Sequence, residues 1–239
     1  MTACAVCHDL RYVRLDVPAS DPRWGKALPC PLCEEPRLRR LRAERLRSLA
    51  GVPGDLSAYT FANYRPDAAV GDARARAGLA RSLQVCEGYA DSPAGWLVLC
   101  GPPGIGKTHL AYAIVGRRLE LGGAVYYGSW PEMLDTLRGG YQDGAAMDYD
   151  TRMQTLLGVD LLVLDDLGSE NVTAWSNEKL FELVNHRYTR RLPLVVTSNL
   201  RVTDPTCAIE PRVRSRLNDT RLGQVVVMAA GDYRGKGGT

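Results

Sequence analysis

Gly101-Pro-Pro-Gly-Ile-Gly-Lys107-Thr108 follows an apolar run, Trp96–Cys100, and precedes an amphipathic stretch over 109–121. The string satisfies GxxxxGK[ST] in the strand–turn–helix setting that gives it physical meaning. Glycines let backbone N–H groups close around phosphate, and the helix N-terminus adds partial positive charge. Gly101, Pro102, Pro103, Gly104, Ile105 and Gly106 are therefore expected to wrap a phosphate chain. Lys107 is expected to reach the β- and γ-phosphates, and the Thr108 hydroxyl to ligate Mg²⁺. The competing reading is a glycine-rich turn with no ligand.

A phosphate loop needs a second metal-side carboxylate. Leu161-Leu-Val-Leu164 reads as a buried strand and ends in Asp165-Asp166. Asp165 is expected to hold Mg²⁺ as a Walker-B aspartate does, and Asp166 to orient or deprotonate the attacking water. A solvated acidic turn is the alternative. The next apolar run, 192–199, ends in Thr197-Ser198-Asn199. Asn199 either holds that water from between the metal strand and the phosphate-loop strand, or caps a strand end.

Strands are expected at 96–100, 124–129, 160–166, 192–199 and 223–229, and helices at 109–121, 132–138 and 176–191. This alternation implies an α/β domain, an open parallel five-stranded sheet flanked by helices. Ligands on such sheets bind at the carboxyl ends of the strands, where all three motifs fall.

The 239 residues allow one such domain and a small appendage. We divide the chain into a cysteine module (1–35), an arginine-rich helix and linker (36–54) and an ATPase domain (55–239). Net charge is only +3, but residues 36–50 carry six arginines, with Leu38, Leu41, Leu46 and Leu49 on one helical face. That helix either meets nucleic acid or packs by its leucines.

No apolar run is long enough to span a bilayer, and no export signal opens the chain, so a cytoplasmic, reducing setting is expected. Paired CxxC motifs then read as metal sites before disulfides. Cys4, Cys7, Cys30 and Cys33 fit the tetrahedral Zn²⁺ of a zinc ribbon. Metal would stabilise a segment too small to bury a core. Cys7-His8 also completes a CxxCH haem-attachment string, which requires export. Cys100 is expected to pack in a strand, and Cys86 and Cys207 carry no signal.

GPPGIGKTHLA and LLVLDDLG resemble the DnaC/IstB branch of the AAA+ ATPases. Tyr59-Thr-Phe61-Ala-Asn63-Tyr64, Asn185-His-Arg187-Tyr188 and Gly231-Asp-Tyr233-Arg234 are similar to weaker strings of that branch. The resemblance implies a P-loop AAA+ core with Asn199 as sensor 1. It further implies ATP as substrate and a head-to-tail homo-oligomer acting on another machine at DNA. In the loaders that machine is the hexameric replicative helicase, and in the IstB relatives it is a transposase. Such an assembly places an arginine finger at the neighbour's γ-phosphate, worth roughly 10³–10⁵ in rate. Within Arg212-Val-Arg214-Ser-Arg216-Leu217, Arg216 matches the finger best; the alternative is that these arginines cover a surface.

Two departures stand out. Asp166 occupies a position where AAA+ proteins usually carry glutamate, so slow hydrolysis is expected. Only 12 residues follow Val227, too few for the family's helical lid, and Arg234 is the candidate to replace a lid-borne arginine. The expected function is ATP-timed loading of a replicative helicase, with single-stranded DNA contact and a zinc module that either grips the helicase or touches DNA. The alternative is an IstB-like transposase-accessory ATPase on duplex DNA. A small-molecule kinase would need a lid insertion with paired arginines, and a GTPase an [NT]KxD string; neither occurs. An ATP-dependent adaptor that barely hydrolyses remains open through Asp166.

Overall fold

The two CxxC turns flank a short antiparallel pair, β1 (Tyr12–Arg14) and β2 (Ala27–Pro29), registered Tyr12 to Pro29. This is seen in a computed structural model that describes residues 4–38, 41, 50–52, 55–68, 72–142, 146–168 and 173–229. Residues 34–38 and 41 are helical, with Leu38 and Leu41 exposed. The rest of the arginine-rich run, including Leu46 and Leu49, lies outside the described residues, as do Gly231, Tyr233 and Arg234.

The large domain runs α1 (Ala73–Asp91), β3 (Trp96–Cys100), α2 (Lys107–Glu120), β4 (Val125–Ser129), α3 (Trp130–Gln142), α4 (Ala146–Gly158), β5 (Leu161–Leu167), α5 (Ala174–Arg190), β6 (Leu194–Ser198), α6 (Pro211–Leu217) and β7 (Gly223–Val227). The five strands of the large sheet are all parallel, in the order β4-β5-β6-β3-β7. Every expected strand forms, with ends no more than two residues from those expected. Helix α1 escaped the sequence reading because it is rich in alanine and arginine rather than leucine. Its buried Leu79, Ser82, Cys86, Tyr89 and Ala90 nevertheless keep helical spacing.

Side-chain alternation divides the core. Trp96, Val98 and Cys100 face one layer, with α3, α4, α5 and α6 packed over it. Leu97 and Leu99 face the other, under α1 and α2. All residues of β3 and β6 are buried, as central strands covered on both faces must be. Edge strand β4 is partly sealed from upstream, where the Tyr127 N–H donates to the Ala50 carbonyl at 2.7 Å. Gly51 makes this approach possible. At φ +64, a Cβ there would lie 2.2 Å from the Tyr127 carbonyl oxygen. No helix among the described residues is long and apolar enough to cross a membrane.

Arg187 of α5 is fully buried. Its guanidinium donates to the carbonyls of Leu156, Val159, Asp160 and Pro193 at 2.8–3.3 Å, tying the end of α4 to the start of β6. Burial lowers its pKa to about 10. Removing the guanidinium strands several buried carbonyls, so Arg187→Met should cost on the order of 3–5 kcal/mol. Urea unfolding measures this; a loss below about 1 kcal/mol would show that water satisfies those carbonyls instead.

Candidate functional site

Strands β5 and β6 keep register from Leu162 opposite Leu194 to Leu164 opposite Val196, then resume at Leu167 opposite Ser198. One extra residue is therefore accommodated in β5 at Asp165-Asp166, and Asp166 takes φ +54. In a regular strand two successive side chains face opposite sides of the sheet. The bulge turns both acids to one cavity, which both line. Aspartate enters the left-handed region more readily than longer side chains, because its short polar group bonds locally.

The cavity holds about 580 Å³ and is lined by Pro103 to Thr108, Asp165, Asp166, Thr197 and Asn199. Its size suits a small-molecule ligand. The phosphate loop connects β3 to α2, and Gly106 caps α2 at φ +94. A Cβ there would stand 2.6 Å from the Tyr64 ring, so this turn admits only glycine.

The Lys107 ammonium is buried and donates to the carbonyls of Gly101 (2.8 Å) and Pro102 (2.9 Å) and to Asn199 Oδ1 (2.8 Å). The same Asn199 amide donates from Nδ2 to Asp166 Oδ1 at 2.9 Å. One side chain at the end of β6 thus bridges the phosphate-loop lysine and the second acid. That amide orientation is the one satisfying both contacts.

Asp165 is buried at 5% exposure. Three hydroxyls donate to its carboxylate: Thr108 (3.0 Å), Tyr127 (2.7 Å) and Thr197 through a short contact. Thr197 Oγ1 also accepts from the Asp166 N–H at 2.9 Å, pinning the bulge. Burial, then the charge of Asp165, pushes the Tyr127 hydroxyl far above its ordinary pKa and keeps it a donor. The sequence reading missed Thr197 and Tyr127. Thr197 was within reach of that reading as a second polar residue on the strand end carrying Asn199. Tyr127 gave no signal, because only the pairing of Ser129 with Asp165 brings β4 alongside.

The opposite wall comes from residues 59–65 and α2. Tyr64 donates to the Ile105 carbonyl at 3.3 Å, and His109 Nε2 meets the Thr60 carbonyl at 2.8 Å. Tyr59 packs on His109 and Tyr112, with ring centroids 5.6 and 5.0 Å apart. The Tyr59–Tyr64 string, quoted above without a role, is thereby a wall of the site.

Arg216 does not join this cavity. Its guanidinium donates to Asn185 Oδ1 (2.8 Å) and the Arg212 carbonyl (2.9 Å), and lies 4.7 Å from the Phe181 ring and 5.3 Å from that of Tyr188. Its buried Nε lacks a hydrogen-bond partner among the described residues. Arg212 also stacks on Phe181, at 4.1 Å, and pairs with Glu210 at 2.6 Å.

Cys4, Cys7, Cys30 and Cys33 bring their four sulfurs within 4.8 Å of one another. Cys4–Cys30 are 3.8 Å apart and Cys7–Cys33 3.5 Å. Tetrahedral Zn²⁺ with bonds of about 2.3 Å sets its sulfurs about 3.8 Å apart, so the donor set fits. Backbone N–H groups of Cys7 and Val6 draw the Cys4 thiol down to about 7. The neighbouring Cys7 thiol and burial push Cys33 up to about 12.

A family model for the IstB-like ATP binding protein matches residues 57–210. A putative ATP-binding protein in an insertion sequence of Mycobacterium tuberculosis is 35% identical over 103 residues, which are 43% of this chain and 40% of that relative. The replicative helicase loader DnaC of Escherichia coli is 24% identical over 185 residues, 77% of this chain and 72% of the loader. The crystal structure of the DnaC helicase loader superposes with TM-score 0.57 at 21% identity, over 74% of this chain and 100% of that one, and so shares the fold. The match thus spans less than half of the mycobacterial relative. With its parallel P-loop sheet and its glycine loop, lysine and paired acids in one cavity, the chain belongs to the IstB-like ATP-binding family and is related to the DnaC helicase loaders.

Proposed function

We propose that the chain is an ATP-driven loader of a replicative helicase, with ATP binding and hydrolysis timing assembly and release. The observation that carries the ATPase part is the Asn199 bridge, which links Lys107 to Asp166 in the cavity that also holds Thr108 and Asp165. In this reading the phosphates take over the Lys107 ammonium from Asn199 and the loop carbonyls. Thr108 and Asp165 would hold Mg²⁺, which when bound neutralises charge across the β- and γ-phosphate oxygens. Asp166 takes the proton of the attacking water, and Asn199 holds the Asp166 carboxylate while it does so. Asp166 is one methylene shorter than glutamate, so turnover is slow until assembly closes the site. Arg216, held outside its own cavity against Phe181, Tyr188 and Asn185, is the residue we assign to the site of a neighbouring copy, which it reaches by leaving those contacts.

The helicase reading draws support from the reach of the DnaC alignment, along 77% of the chain. The cysteine module adds a second argument. Leu10, Trp24 and Leu32 are 76%, 58% and 60% exposed there, which suits contact with a protein better than with phosphate. We propose Zn²⁺ at the four cysteines as what holds this surface in shape, and single-stranded DNA as the ligand of the assembled loader. A transposase-accessory ATPase on duplex DNA is the second reading, favoured by the insertion-sequence relative.

Metal analysis of purified chain should give one zinc per molecule, and none after Cys30→Ser; a metal-free native chain would end the zinc assignment. Lys107→Ala should abolish turnover, whereas mixing it with Arg216→Ala subunits should partly restore hydrolysis. Absence of rescue at every ratio would remove Arg216 as a finger in trans. Immobilised chain should capture the replicative helicase of its own cell in an ATP-dependent manner, and Trp24→Ala with Leu32→Ala should weaken capture at least tenfold. Retention of a transposase and not the helicase would shift the reading to the second function.

A further inference from the structure

The Asp165 carboxylate meets donors from three different elements. Thr108 belongs to the phosphate loop and Thr197 to β6, residues already drawn into the site by their position. Tyr127 comes from β4 and reaches Asp165 Oδ2 at 2.7 Å in a buried contact. It does not line the cavity, so it acts from behind the carboxylate. We propose that Tyr127 is a positioning residue that fixes the Asp165 carboxylate for Mg²⁺. This rests on the nucleotide-site reading above and deepens it.

The geometry supports the role in three ways. First, the Thr108 hydroxyl can ligate the metal through a lone pair while still donating to Asp165, but it touches the carboxylate from the cavity side. Tyr127 and Thr197 orient the carboxylate from the neighbouring strands, one on each oxygen. Second, Tyr127 is held at both ends. Its backbone N–H is tied to the Ala50 carbonyl at 2.7 Å, and its ring lies 4.4 Å from that of Tyr112. The Tyr127 hydroxyl, held beside the side chain of Tyr112, is thereby kept against Asp165 Oδ2. Third, Tyr126, the preceding residue of β4, packs in the layer on the opposite face of the sheet and makes no such contact, so tyrosine at this strand is not a general filler. Hydrogen-bond partners of metal-ligating carboxylates set ligand orientation, and their loss costs roughly 10–100-fold in metal affinity.

The test is a titration of full-length chain with a fluorescent, non-hydrolysable ATP analogue, in EDTA and across a Mg²⁺ series. Tyr127→Phe removes one oxygen and keeps the ring. It should raise the Mg²⁺ concentration for half-maximal tightening by about tenfold. Analogue affinity in EDTA should stay within about twofold of native, and Tyr126→Phe should match native in both arms. Unchanged Mg²⁺ dependence in Tyr127→Phe would overturn the proposal while leaving the nucleotide site intact. An equal loss with and without Mg²⁺ would overturn it too, because Tyr127 would then be general packing. Absence of any Mg²⁺-dependent tightening in the native chain would overturn the site reading itself and the proposal with it. Thermal unfolding of Tyr127→Phe within about 3 °C of native guards against a folding defect.

Discussion

A carboxylate buried at the end of an apolar strand has to be surrounded by donors, and Asp165 organises its half of the site by that requirement. An ionised group at 5% exposure survives only if hydrogen bonds replace the water it gave up. Hydroxyls answer it from the phosphate loop, from β4 and from β6. Each arrives because the parallel sheet sets those elements side by side, with Ser129 opposite Asp165 and Cys100 opposite Ser198. The bulge follows from the same demand, since Thr197 both donates to Asp165 and accepts from the Asp166 backbone. Fold and site are thus held by one small hydrogen-bond network.

Asn199 adds a second level. Its amide is dipolar in the useful sense, with an acceptor end on Lys107 and a donor end on Asp166. A displacement at the lysine is felt at the acid through a single rigid group. Neither a serine nor an aspartate would serve both ends, because one lacks the span and the other the donor.

Much of this architecture was legible from residues alone. Strands β3, β5 and β6 were marked by leucine- and valine-rich runs, as buried parallel strands are, and the phosphate loop carried its own context. What stayed hidden was what spacing does not encode. Helix α1 buries Ser82, Cys86 and Ala90 beside Leu79 and Tyr89, a stripe with one leucine in it. Tyr127 reaches Asp165 across a register between strands that lie far apart in sequence. The aromatic wall at Tyr59–Tyr64 depends on the approach of Tyr64 to Gly106, residues far apart in sequence. Arg216 was expected at a neighbour's phosphates, and in the single chain it lies against Phe181 and Tyr188, away from the cavity of its own copy.

The Ala50 carbonyl on the β4 edge has a consequence for how the chain can be cut. Without residues 50 and 51, the N–H of Tyr127 would open to solvent on an apolar strand at the sheet margin. Exposed margins of that kind recruit strands from other molecules. A fragment beginning at residue 55 would therefore carry a sticky flank, and self-association of such a fragment would report that flank rather than the assembly proposed above.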